Sequence, residues 1–354
     1  MKPANAPISA VRLAALILTL GMIGCSGDGS RPTQSPTPTQ TLAPTRTATP
    51  STAVVRTPAA TPSPAAWIAY QGQSGLALIR SDGTDDHVFP SSVASSARHP
   101  DWSPDGEWLA YRLDGPGEAT SIWISHIDGS DARRLVDCRA PCGYADDPAW
   151  SPDGTSLAYW RNGDDEVQAI HVVDIESGEE SAIIAGGPGQ APIRPRWSPD
   201  GTRLVVEIEQ YSNDGEYLSS DLGLIDLTAE NPELSALTTG EPLAGYPDWG
   251  PSSDAILFQA HNAAPFSLTG DPVQLFTIRP DGSGLRQLTQ RTAEEPFIAL
   301  PAWADNGESI LVTLIHSTEM FTLARLAADG SGIDEILGAD GQPIIGAHTR
   351  AAVN

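Results

Sequence analysis

The sequence predicts an all-β protein, a six-bladed β-propeller of four-stranded antiparallel blades closed by a C-terminal strand that completes the N-terminal blade. Three observations carry the prediction. A Pro-x-Trp signature recurs five times, at Pro100-Asp101-Trp102, Pro148-Ala149-Trp150, Pro195-Arg196-Trp197, Pro247-Asp248-Trp249 and Pro301-Ala302-Trp303, and each time the first aliphatic residue of a β-rich run lies 7 residues beyond the tryptophan. The composition, with 33 Gly and 31 Pro in 354 residues, is that of a turn-rich chain and not of a helical bundle. Finally, one unit near the N-terminus lacks its first strand.

Within a unit the elements follow in order. The segment after each tryptophan is Ser-Pro-Asp-Gly at 103–106, 151–154 and 198–201, and degrades to Gly-Pro-Ser-Ser at 250–253 and Ala-Asp-Asn-Gly at 304–307. Proline presets the bend and glycine takes the positive φ, so this segment is a hairpin between strands one and two. A third strand follows (Ile122-Trp123-Ile124, Ile170-His171-Val172, Leu224-Ile225, Leu275-Phe276-Thr277, Phe321-Thr322-Leu323), then a tight turn such as Asp128-Gly129, and a short fourth strand such as Gln287-Leu288-Thr289. Successive tryptophans are 48, 47, 52 and 54 residues apart, the length of a propeller blade. Residues 67–89 supply strands two to four of a further unit. Pro343-Ile344-Ile345 is the expected missing strand, closing the ring and leaving no open edge.

These units resemble the WD-repeat-like units of the TolB family of six-bladed propellers, and the resemblance covers residues 66–354. It implies the six-bladed fold; in place of that family's separate N-terminal α/β domain a lipid signal and stalk are expected here, so the family's envelope role is not carried over. Similar propellers also form the non-catalytic half of prolyl-oligopeptidase-like peptidases.

Ahead of the ring, residues 1–24 read as an export signal: Lys2 and Arg12 precede an apolar run from Leu13 to Ile23, too short to span a bilayer. Met22-Ile23-Gly24-Cys25 resembles a bacterial lipobox, which implies lipidation of Cys25. Of the 40 residues from 26 to 65, 23 are Pro, Thr or Ser, so residues 25–65 are expected to be a disordered stalk bearing the lipid at one end. The expected location is extracytoplasmic, with the membrane reached through the N-terminal lipid alone.

The formal net charge is −25, which argues against binding nucleic acid or anionic lipid. Asp105, Asp153 and Asp200 are expected to cap their own turns, and the five tryptophans to pack between blades. Cys138 and Cys142, spaced Cys-x3-Cys, are expected to form a local disulfide. No two of the seven histidines fall within a short metal-binding spacing, and Gly-x-Ser-x-Gly, His-Glu-x-x-His and Walker sequences are absent, so no metal, cofactor or catalytic residue is assigned.

Loop length varies between strands two and three and between blades, notably at 208–221 and 259–273; both loop classes open on one face, the candidate binding surface. His99, Asp147, Arg194 and Tyr246, placed just before the inner strands, are the candidate ligand-binding residues at the axial mouth. The expectation is a monomeric, non-catalytic module for a protein or peptide partner. A glycan ligand is the weaker variant, and an extracytoplasmic hydrolase or lyase using His99, Asp147 and Arg194 is the rival.

Overall fold

The computed structural model describes residues 66–351 apart from 91–93, 116–118, 139–141, 163–166, 241–242 and 262–271. The signal at 1–24, Cys25 and the stalk at 25–65 therefore lie outside the described residues, as does most of 259–273.

Six separate four-stranded antiparallel sheets make up the fold, with no α-helix among the described residues. Blade 1 contains β1 (Trp67–Gly72), β2 (Gly75–Arg80) and β3 (His87–Val88). Blade 2 is β4 (Ala97–Trp102), β5 (Trp108–Asp114), β6 (Thr120–His126) and β7 (Arg133–Cys138). Blade 3 is β8 (Ala145–Trp150), β9 (Ser156–Asn162), β10 (Gln168–Asp174) and β11 (Glu180–Ala185), and blade 4 is β12 (Gln190–Trp197), β13 (Arg203–Tyr211), β14 (Tyr217–Asp226) and β15 (Leu234–Ala236). Blade 5 is β16 (Leu243–Trp249), β17 (Ile256–His261), β18 (Gln274–Ile278) and β19 (Arg286–Gln287); blade 6 is β20 (Phe297–Ala304), β21 (Ser309–Ile315), β22 (Phe321–Ala327) and β23 (Asp334–Glu335).

The last strand, β24 (Gly346–Ala351), joins blade 1 against β1 and closes the ring. It lies just beyond the segment the sequence suggested. Pro343 and Ile345 instead bridge to Leu337 and Thr322 of blade 6, and Ile344 is buried with Ile68, Leu311, Leu323 and Ile336 between blades 6 and 1. In β24, Ala351 opposes Ile68 as Trp102 opposes Leu109, so His348-Thr349-Arg350-Ala351 takes the register of His99-Pro100-Asp101-Trp102. The signature that marks the other inner strands is absent here, and the apolar Pro343-Ile344-Ile345 stood in for it.

The core lies between blades because alternate residues of each second strand face opposite neighbours. Leu109 and Tyr111 pack with Leu76 and Leu78 of blade 1, whereas Ala110 between them packs with Trp150, Leu157 and Tyr159 of blade 3. The tryptophans also tie neighbours together by hydrogen bonds. The indole N–H of Trp102, Trp197 and Trp249 donates to the carbonyl of Arg350, Ala149 and Arg196 in the preceding blade, at 3.0, 3.1 and 3.1 Å. In the hairpins, Gly106, Gly154 and Gly201 have φ of 70°, 73° and 71°. Asp200 accepts from Ser198 Oγ, Thr202 Oγ1 and Thr202 N, and these bonds hold its carboxyl down at about 2. The turn aspartates are thus occupied with their own hairpins. Cys138 and Cys142 are joined by a disulfide, both sulfurs buried.

The 208–221 segment is a correction. Most of it is not a loop: β13 and β14 continue pairing to Tyr211↔Tyr217, so the extra length forms a long hairpin arm.

Candidate functional site

Every inner strand that carries a Pro-x-Trp signature has the same defect. The pairing register shifts between Arg98 and Asp101, Asp146 and Ala149, Ile193 and Arg196, Gly245 and Asp248, and Ala299 and Ala302. The cause is the proline, which has no N–H for the ladder and is accommodated within a strand at a bulge. The residue before each proline takes a left-handed conformation: His99, Asp147, Arg194, Tyr246 and Leu300 have φ of 48°, 50°, 52°, 52° and 57°. For such side chains this backbone region costs on the order of 1–3 kcal/mol each. Neighbouring blades help hold it. Glu207 Oε2 accepts the Tyr246 N–H at 2.9 Å, and Gln259 Oε1 accepts the Leu300 N–H at 2.7 Å.

The bulges turn these five residues toward the axis, where they line one cavity together with Arg196 and Arg350. His99, Asp147, Arg194 and Tyr246 are therefore brought together, although they sit within the inner strands and not before them. Leu300, Arg196 and Arg350 were missed. Leu300 carries the same signal, its place before Pro301. Arg196 is the middle residue of its Pro-x-Trp, the position that Asp101, Ala149, Asp248 and Ala302 hold in the other blades.

Two polar networks stiffen the mouth. Around blades 2 and 3, His99 Nδ1 lies 2.6 Å from Asp146 Oδ1, Arg112 Nη1 donates to Asp146 Oδ2 at 2.7 Å, and the Tyr144 hydroxyl donates to the same oxygen at 3.2 Å. Although burial opposes ionisation of Asp146, the Arg112 guanidinium and His99 overcome it and hold the carboxyl well below its usual range. Asp147 Oδ2 accepts the Trp160 indole N–H at 2.9 Å. His99, Asp146 and Asp147 could offer donor atoms to a metal within 4.8 Å of one another. A cation there would have to displace or face Arg112, so the set is better suited to hydrogen bonding within the protein.

Around blades 4 and 5, Arg194 pairs with Glu207 at 3.0 Å and Glu209 at 3.8 Å, stacks on the Tyr246 ring at 4.1 Å and donates to its hydroxyl at 3.1 Å. Burial, reinforced by the Glu209 charge, pushes the Glu207 carboxyl up to about 7 despite Arg194. Burial likewise raises the Tyr246 phenol, which stays protonated and is a poor nucleophile. Among the described lining residues no serine, threonine, cysteine or lysine is present.

Comparison with known proteins agrees with this architecture. The TolB beta propeller domain profile matches residues 120–342. TolB from Acinetobacter baumannii superimposes with a TM-score of 0.58 at 16% identity over 81% of this chain and 66% of that one. A putative TolB from Agrobacterium tumefaciens gives 0.56 at 15% identity over 82% of this chain and 99% of its own. By sequence, 121 residues are 27% identical to the uncharacterized peptidase YuxL of Bacillus subtilis, covering 34% of this chain and 17% of that protein. At these identities the two structures establish a shared fold, and the YuxL match reaches only a small part of that protein's length.

Proposed function

The chain belongs to the TolB β-propeller family, and from that premise we propose that it is a non-catalytic binding module whose axial mouth receives part of a protein or peptide partner at the cell envelope. The observation that carries this reading is the ring of strained residues. The repeat keeps proline and tryptophan constant but places His, Asp, Arg, Tyr and Leu at one structurally equivalent position, all facing one cavity. Strain maintained at five positions with differing side chains suits recognition better than packing, which would favour repetition. The Tyr246 phenol, with its raised pKa, is suited to hydrogen bonding and not to nucleophilic attack.

The proposed location is extracytoplasmic, with the monomeric ring anchored through a lipid on Cys25 and held away from the membrane by the stalk. Crosslinking on intact cells tests both parts. A photoreactive phenylalanine analogue in place of Tyr246, across the same cavity, should capture a discrete partner, whereas one in place of Ser181 on β11 should not. Leu300→Trp should reduce capture at least tenfold while preserving the melting curve, and Cys25→Ala should release the protein from the membrane fraction. Undiminished capture by a folded Leu300→Trp protein would exclude the mouth as the binding site.

A further inference from the structure

The cavity wall reverses the charge of the protein around it. The chain has 45 acidic residues against 20 basic ones, yet the mouth is lined by three arginines, Arg194, Arg196 and Arg350, and by one carboxylate, that of Asp147. These arginines differ in what they already hold. Arg194 is committed to Glu207 and Glu209, and Arg350 lies 3.7 Å from Asp101. Arg196 has no carboxylate within ion-pairing distance among the described residues; the one hydrogen bond of its guanidinium runs from Nη1 to the carbonyl of Pro195 at 2.8 Å, and its buried Nε–H has no partner among them.

The nearby carboxylates are engaged elsewhere. Asp101 accepts the Trp150 N–H and Asp248 the Trp303 N–H, both at 2.8 Å, and Asp147 is held by Trp160 and His99. A guanidinium that is partly buried, open to a cavity and left with an unused donor is a costly arrangement unless an anion completes it. The cavity these side chains line holds about 30 Å³ of space, enough for a small group such as a carboxylate. The planar fork of an arginine matches a carboxylate in two parallel N–H···O bonds.

We propose that the floor of the mouth is a carboxylate site, with Arg196 as the residue that takes the anion and Arg350 and Arg194 flanking it. The inference rests on the mouth-binding reading and narrows it: the partner inserts a carboxylate, either its chain terminus or an acidic side chain. Although the acidic exterior favours basic partners, the group that enters the ring is negative.

Titration of the full chain, labelled with ¹⁵N-arginine, tests this directly, with the Arg196 Nε–H signal assigned from Arg196→Lys. N-acetylglycine presents a terminal carboxylate and N-acetylglutamate α-amide a side-chain one; N-acetylglycinamide presents neither. A saturable shift with the first alone identifies a chain terminus, with the second alone an acidic side chain, and with both a carboxylate of either origin. No shift with either, an equal shift with N-acetylglycinamide, or tighter binding of inorganic phosphate overturns the proposal. In the crosslinking assay, Arg196→Lys keeps the charge but loses the fork, and should reduce capture roughly tenfold. If Leu300→Trp abolishes capture while Arg196→Lys leaves it intact and the titrations are silent, the mouth still binds and the carboxylate assignment alone falls.

Discussion

Replacing Asp146 with alanine removes the acceptor at the centre of the blade 2–3 network. Its side chain is only 4% exposed and is contacted by His99, Arg112, Tyr144 and the N–H of Asp147. Loss of one partner of a buried ion pair costs ~3–5 kcal/mol, because the remaining charge stays buried. Arg112 keeps a second carboxylate, Asp114 at 2.7 Å, so the lower end applies. At ~2–4 °C per kcal/mol for a large domain, Asp146→Ala should lower the melting temperature by roughly 6–12 °C at pH 7. Because the folded carboxyl is held below its ordinary value, its contribution is complete above about pH 4 and is lost as pH falls through the folded value. The gap between wild type and variant should thus narrow in acid. Replacing Arg112 as well, with methionine, should cost less than the two single changes added together. A fall below 2 °C, or strict additivity, would refute the network as a coupled unit.

Two other outcomes follow from the ring. Deleting residues 346–354 removes the partner of β1 and the acceptor of the Trp102 indole, and should abolish the single cooperative thermal transition; an unchanged melt would sink ring closure by β24. Glu207, pushed up to about 7 from 4.5, binds a proton more readily folded than unfolded, so its effect is to lower stability as pH rises between those values. Glu207→Gln keeps an acceptor for the Tyr246 N–H and should flatten the dependence of melting temperature between pH 5 and 8; identical slopes would contradict the assignment.

The blades were legible because their signals are local and repeated. A fixed spacing from tryptophan to aliphatic residue survives in every Pro-x-Trp unit, even where Ser-Pro-Asp-Gly has become Ala-Asp-Asn-Gly. Closure was legible as a requirement, but its strand was not, since Ala351 occupies the place of the tryptophan and pairing decides the register. The long hairpin through 208–221 read as a loop because its polar residues carry no burial pattern. At the mouth, the position before proline pointed to four residues, and only the bulge shows why Leu300 completes them. Arg196 could not be singled out, because what distinguishes it is the lack of a carboxylate at ion-pairing distance, a property of packing across blades.

The joining of β1 to β24 also sets the order in which the protein can form. Five blades are built from strands adjacent in sequence, so their contacts are local and inexpensive to close. The remaining sheet draws its inner strand from the opposite end of the folded region, giving it the largest sequence separation of any pairing in the molecule. As the chain emerges N-terminus first, blades 2 to 6 can each pair as soon as their strands appear, while β1 keeps an unpaired edge until β24 arrives. Ring closure is therefore the slow, late step, and until then that edge is the part of the chain most exposed to pairing with another molecule.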